Sequence, residues 1–253
     1  LIIKNGSCYI DGKLTKTDIG LSGAKIKKIG KIELNSSKVY DATDKVVLPG
    51  IIDTQVHFRE PGLTQKADIS SESKAAIAGG VTSYIEQPNT IPNATSLFEL
   101  EKKYSRAKEV SWANFSFNLG ATNDNLEELK KASKANIAGI KIFMGSSTGT
   151  LLVSEESDLE LALKTIKRRV AIHSEDEFRL VKRLKNIDVS KGVKEHENWR
   201  DPETAIISTR KVLKIEEWGL LNLASKIKNY KKGFYIHYKF EGNNKTLNEI
   251  ENK

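Results

Sequence analysis

From residue 46 onward, short apolar runs alternate with amphipathic helical stretches, and this rhythm limits the possible folds more than any other property of the chain. The pattern predicts strands over 46–56, 81–85, 114–119, 139–143, 170–172 and 233–236. Helices are predicted over 70–78, 96–110, 125–132, 158–167, 178–184, 204–214 and 220–228, the first ended by Gly79-Gly80 as a left-handed cap. Repeated βα units favour a parallel sheet, and chemistry then gathers at the C-terminal ends of the strands. The expectation is an α/β fold of the (β/α)8 TIM type, with about six of its eight units present. Residues 1–48 read differently, as short strands over 1–3, 8–10, 24–29 and 38–40 broken by Asn5-Gly6, Asp11-Gly12 and Gly30. A β-rich subdomain over 1–48 and a barrel over 49–253 are therefore expected.

Composition narrows the class. With 38% hydrophobic and 29% charged residues among 253, the chain reads as globular, and it has no apolar run long enough to span a membrane. The start, Leu1-Ile2-Ile3-Lys4-Asn5-Gly6, lacks the features of a signal peptide; the absent initiator Met points to a missing beginning. A single cysteine, Cys8, excludes an internal disulfide framework and suits a cytoplasmic location. It reads as a small strand residue. The net charge of +8 is spread as Lys over helix faces, including Lys102-Lys103, Lys130-Lys131 and Lys182 with Lys185. Without interleaved aromatics these read as solvated surface, and no nucleic acid is expected.

The chemistry-bearing residues lie at strand ends. In Pro49-Gly50-Ile51-Ile52-Asp53-Thr54-Gln55-Val56-His57-Phe58-Arg59-Glu60-Pro61-Gly62, strand alternation points Asp53, Gln55 and His57 to one side. Two imidazoles at i and i+2 can converge on one divalent ion; here Gln55 fills the first slot. His57, His173 and His237 each follow an apolar strand (Gln55-Val56-His57, Ala171-Ile172-His173, Tyr235-Ile236-His237). Parallel strands of a barrel aim such ends at a common centre, which predicts a metal site. Lys141 is flanked by apolar residues in Gly139-Ile140-Lys141-Ile142-Phe143. A buried ammonium is costly, and a deprotonated lysine can take up carbon dioxide to give a carbamate able to bridge two ions. The alternative is a stem that snorkels to the barrel mouth. His196 reads as a loop residue on the substrate side, and Ser146-Ser147-Thr148-Gly149 as a mouth loop lacking a phosphate-loop ending.

The stretch Asp53 to Gly62, with Gln87-Pro88-Asn89-Thr90, Lys141 to Gly149, His173-Ser174-Glu175-Asp176 and Arg200-Asp201-Pro202-Glu203, resembles the dihydroorotase branch of the amidohydrolase superfamily, in the same order. The resemblance implies a (β/α)8 barrel with a small β-sandwich beginning at the N-terminus, here partial. It also implies reversible hydrolysis of dihydroorotate to N-carbamoyl-L-aspartate in pyrimidine biosynthesis, by a hydroxide held on one or two zinc ions. By this resemblance His57 is the second member of a His-x-His pair, and Gln55 a weak amide donor in the first position. Lys141 matches the carboxylated lysine, and His173 and His237 the remaining ligands. Arg59 and Asn89 match residues that hold the substrate carboxylate. Allantoinases usually carry Asn at the position of Arg59, and hydantoinases depart from the Arg-Glu-Pro-Gly run. Glu175 and Asp176 read as supports for His173. After His237 the family continues with small hydroxyl residues, whereas this chain has Tyr238-Lys239-Phe240. The catalytic Asp of an eighth strand is not found, so no catalytic residue is assigned and a truncated C-terminus is expected. Expected partners are a small anionic substrate, further copies of the chain as a homo-oligomer, and aspartate transcarbamoylase as a candidate. The competing readings are another cyclic amidase (allantoinase or dihydropyrimidinase) and a non-catalytic homologue or inactive fragment, whose open sheet edges predict poor solubility.

Overall fold

A computed structural model describes residues 1–33, 38–147 and 150–217. The expected helix over 220–228, the strand over 233–236 and His237 lie outside the described residues. The chain divides into two compact units, Leu1–Ile51 and Ile52–Lys253.

In the first unit, β1 (Ile2–Ile10), β2 (Lys13–Ser22), β3 (Lys25–Ile29), β4 (Val39–Asp41) and β5 (Val46–Val47) form one sheet in the order β3-β2-β1-β4, with β5 also on β1. The expected break at Asn5-Gly6 is instead a bulge inside a continuous β1. Asn5 takes φ 63°, and the register against β2 shifts between Ile3 and Gly6. Asp11 and Gly12 do turn the chain, at φ 48° and 80°. Two left-handed residues match the right-handed strand twist, so β1 and β2 close as a tight hairpin.

The stretch 46–56 is not one strand. Pro49, which has no backbone N–H to give a ladder, and Gly50 separate β5 from β6 (Ile51–Val56). The second unit continues α1 (Ile69–Ala78), β7 (Val81–Glu86), α2 (Leu97–Val110), β8 (Asn114–Gly120), α3 (Leu126–Ala132), β9 (Gly139–Phe143), α4 (Glu156–Thr165), β10 (Val170–His173) and α5 (Glu177–Leu184). A 3-10 turn (Val189–Lys194), α6 (Glu195–Trp199) and α7 (Pro202–Glu217) follow. His196 therefore sits on a short helix, where a loop was expected. The strands lie in the order β10-β9-β8-β7-β6, and β7 to β10 pair in parallel. This is the curled half of a TIM-type barrel.

Helix starts follow their caps. Asp68 accepts from Ser71 N–H at 2.7 Å and Ser96 from Glu99 N–H at 3.2 Å, each satisfying an amide that the helix leaves free. At the end of α1 it is Gly80, at φ 86°, that takes the left-handed conformation expected of the pair. The core lies between sheet and helices. Ile69, Tyr84, Leu100, Phe117, Leu119, Ile140 and Ile142 are fully buried there, each contributing about 1.5–3 kcal/mol of apolar burial. All of β9 is buried. Among the described residues no helix is long and apolar enough to cross a membrane.

Candidate active site

The packing of alternate residues fixes which side chains face the concave side of the sheet. Val56, Ile140, Ile142 and Ile172 pack into the core against the helices, so Gln55, His57, Lys141 and His173 face the other way. Ala171 pairs with Lys141 and His173 with Phe143 in the register of β10 on β9.

His57 Nδ1 lies 2.7 Å from Asn89 Oδ1, an acceptor, so the ring proton sits on Nδ1 and Nε2 keeps its lone pair. Burial lowers the His57 pKa; the Asn89 contact opposes this, while Arg59, Lys141 and His173 add to the lowering. A neutral imidazole is the form that binds metals. Arg59 stands at φ 68°, a strained position for a residue with a side chain. Its guanidinium makes no ion pair among the described residues and so is free to meet an anion. The turn it begins is pressed tight: a Cβ on Gly62, at φ 84°, would stand 2.1 Å from the Ile91 carbonyl oxygen.

Lys141 is 1% exposed and meets no carboxylate among the described residues. Its Nζ donates to Gln55 Oε1 at 3.3 Å and lies 5.1 Å from the centre of the Phe143 ring. Burial alone pulls its pKa down to about 8. Snorkelling is thereby corrected: the stem ends inside, and an appreciable fraction of amine exists near neutrality.

His173 is braced from the far side. Its Nε2 donates to Glu175 Oε2 at 2.5 Å, which leaves Nδ1 as the open nitrogen. Arg200 donates to both oxygens of Glu175, through Nε at 2.8 Å and through Nη2. Burial would raise the Glu175 pKa, but His173 and Arg200 outweigh it and hold the carboxyl at about 2. Asp176, expected as a further support of His173, instead caps α5 through Arg179 N–H at 2.9 Å and pairs with Lys211 at 2.6 Å.

Among the described residues no three His, Cys, Asp or Glu side chains form a metal-binding group. The donors that do share the concave face are two imidazoles, an amide oxygen and an amine of lowered pKa. This set fits a divalent ion once Lys141 carries a carbamate, which would supply the anionic oxygens the others lack.

Two features escaped the sequence reading. One is the Glu175–Arg200 brace. The other corrects the assignment of Lys103 to solvated surface: it is 3% exposed, and its Nζ lies 2.8 Å from Oε2 of fully buried Glu86. A charged residue on the apolar stripe of α2, beside Leu100 and Ala107, was the available signal.

The dihydro-orotase-like family model matches residues 44–178, more than half of the chain. The chain belongs to the dihydroorotase-like family. The curated dihydroorotase of Methanosarcina mazei is 43% identical over 181 residues, covering 69% of this chain and 39% of that protein. The dihydroorotase of Methanothermobacter thermautotrophicus is 30% identical over 210 residues, covering 82% and 47%. This dihydroorotase-like chain thus spans less than half the length of the curated relatives it matches. Its fold is similar to that of an L-hydantoinase (dihydropyrimidinase) from Arthrobacter aurescens, with a TM-score of 0.81 at 23% identity over 87% of this chain and 51% of that one. A second family model, ribosomal protein S6, matches residues 194–253. That match overlaps α6 and α7, yet Thr204, Ser208 and Val212 of α7 are buried, and Arg200 reaches His173 and Glu175.

Proposed function

We propose that this chain provides the metal-binding and carboxylate-binding part of a dihydroorotase, the cyclic amidase that interconverts dihydroorotate and N-carbamoyl-L-aspartate. The observation that carries the reading is the cluster at the ends of β6 and β7. His57 is held by Asn89, Arg59 follows two residues after His57 and makes no ion pair among the described residues, and buried Lys141 shares the face. A forked guanidinium and an amide suit a ring substrate bearing a carboxylate, and an uncharged hydantoin would leave Arg59 unpaired.

Zinc, when held by His57, Lys141 as its carbamate and His173, with Gln55 as a weak further donor, would acidify a water and polarise the ring carbonyl. His237, expected as a further ligand, lies outside the described residues and is left out of this donor set. Asn89 and Glu175 bind Nδ1 of His57 and Nε2 of His173, so the other ring nitrogens, Nε2 and Nδ1, are the ones that would hold an ion. Arg59 and Asn89 orient the carboxylate so that the scissile carbonyl faces the metal ligands. In the hydrolysis the C–N bond of the ring amide breaks, water's oxygen joins the carbonyl carbon, and a proton reaches the leaving nitrogen.

One observation favours a second reading, a non-catalytic homologue: Lys141 and Gln55 satisfy each other directly at 3.3 Å. Zinc analysis combined with assays on dihydroorotate, hydantoin and allantoin separates the two. Bound zinc with turnover of dihydroorotate, lost in Lys141→Ala, supports the enzyme. Absence of both zinc and turnover leaves the homologue, and preference for an uncharged ring removes the role given to Arg59.

A further inference from the structure

The Glu86–Lys103 pair lies on the helix side of β7, away from the face just described. The side chains are 0% and 2% exposed, and the two charges meet at 2.8 Å. A buried pair of this kind adds little stability over apolar residues of the same size, because desolvation offsets the attraction. What an apolar residue in place of Lys103 could not do is bind the backbone just past the end of β7. Lys103 Nζ also donates to the Gln87 carbonyl at 3.3 Å, at the start of the turn that presents Asn89. Burial raises the Glu86 pKa against the opposing pull of Lys103, and neither carboxylate oxygen has a hydrogen bond of good geometry. One helical turn further along α2, Arg106 Nε donates to Glu60 Oε1 at 2.6 Å, and Glu60 Oε2 accepts from Ile69 N–H at 2.9 Å. Helix α2 therefore holds both turns from behind.

We infer that Glu86 and Lys103 are positioning residues that fix the spacing between Arg59 and Asn89, and so set the affinity for a substrate's carboxylate. The inference rests on the function proposed above. Neither residue touches substrate.

The test uses the full chain, with Lys103→Met and the double replacement Glu86→Leu with Lys103→Met, which removes both charges and keeps the site filled. Three quantities are read: the melting temperature, the NMR resonances of the Arg59 backbone amide and the Asn89 side-chain amide, and the affinity for N-carbamoyl-L-aspartate by calorimetry. The expected result is a double variant that melts like the parent, with both resonances displaced and affinity at least about tenfold weaker. Parent-like resonances and affinity in the double variant would overturn the inference. Failure of the double variant to fold would also overturn it, since the pair would then be a structural necessity. If the parent itself binds no N-carbamoyl-L-aspartate, the substrate reading fails, and the resonances alone decide the positioning role.

Discussion

Lys141 has an amide for its partner where a buried ammonium needs a carboxylate. Replacing it by Met should remove metal binding while leaving the melting temperature unchanged or higher, because no buried charge remains to be desolvated; metal analysis beside thermal melts checks this. Gln55→His would complete an imidazole pair on β6, and zinc affinity should rise by about tenfold or more in competition with a chelating dye. An unchanged affinity would mean that β6 does not reach the ion. Arg59→Met should weaken N-carbamoyl-L-aspartate binding by about ten- to a hundredfold, the worth of hydrogen bonds to a charged group. His57, Lys141 and His173 were legible in the sequence because strand periodicity alone decides which way they face. Lys103 was not. Beside Lys102 it reads as one more solvated lysine; its place on the stripe of Leu100 and Ala107 hints at burial, and the partner on β7 explains it. Glu175 was placed near His173 correctly, but its tie to Arg200 spans α5 and α6 and leaves no local pattern.

At the level of elements, caps and turns carry the testable consequences. Asp201 precedes α7, accepts from Thr204 N–H at 3.2 Å and binds Arg179 Nε at 3.0 Å. The Arg179 guanidinium, followed by the Thr204 contacts, holds its carboxyl well below the usual range against the opposing effect of burial. A carboxylate depressed in the folded state contributes stability that is complete above its unfolded pKa of about 4 and lost as pH falls through the folded value. Asp201→Asn should therefore cost about 1–2 kcal/mol at pH 7 in urea melts, and the difference from the parent should shrink below about pH 4. The parallel sheet and most helices followed from periodicity and caps. The sequence reading failed where a turn signal proved compatible with a strand, as at Asn5-Gly6 in β1, and where Pro49 ended a ladder inside an apolar run.

For the molecule as a whole, burial predicts an order of opening. Every residue of β9 is buried and every residue of β3 is exposed. Native-state hydrogen exchange should find the amides of β9 among the slowest and those of β3 among the fastest, because local opening of β3 uncovers almost no apolar surface. Similar protection in both strands would show that the two units open together. The fold class was readable from the βα rhythm, whereas the ribosomal family match, which begins at 194 after the dihydro-orotase-like match ends at 178, was not. Its extension over α6 and α7 gives the Arg200 brace a genealogical meaning. If foreign coding sequence were ever spliced onto a barrel of this kind, a breakpoint before Arg200 would discard the guanidinium that steadies His173, and one before Val212 would uncover the core. A join beyond α7 would leave both untouched, which makes the end of that helix the first permissive seam in this part of the gene.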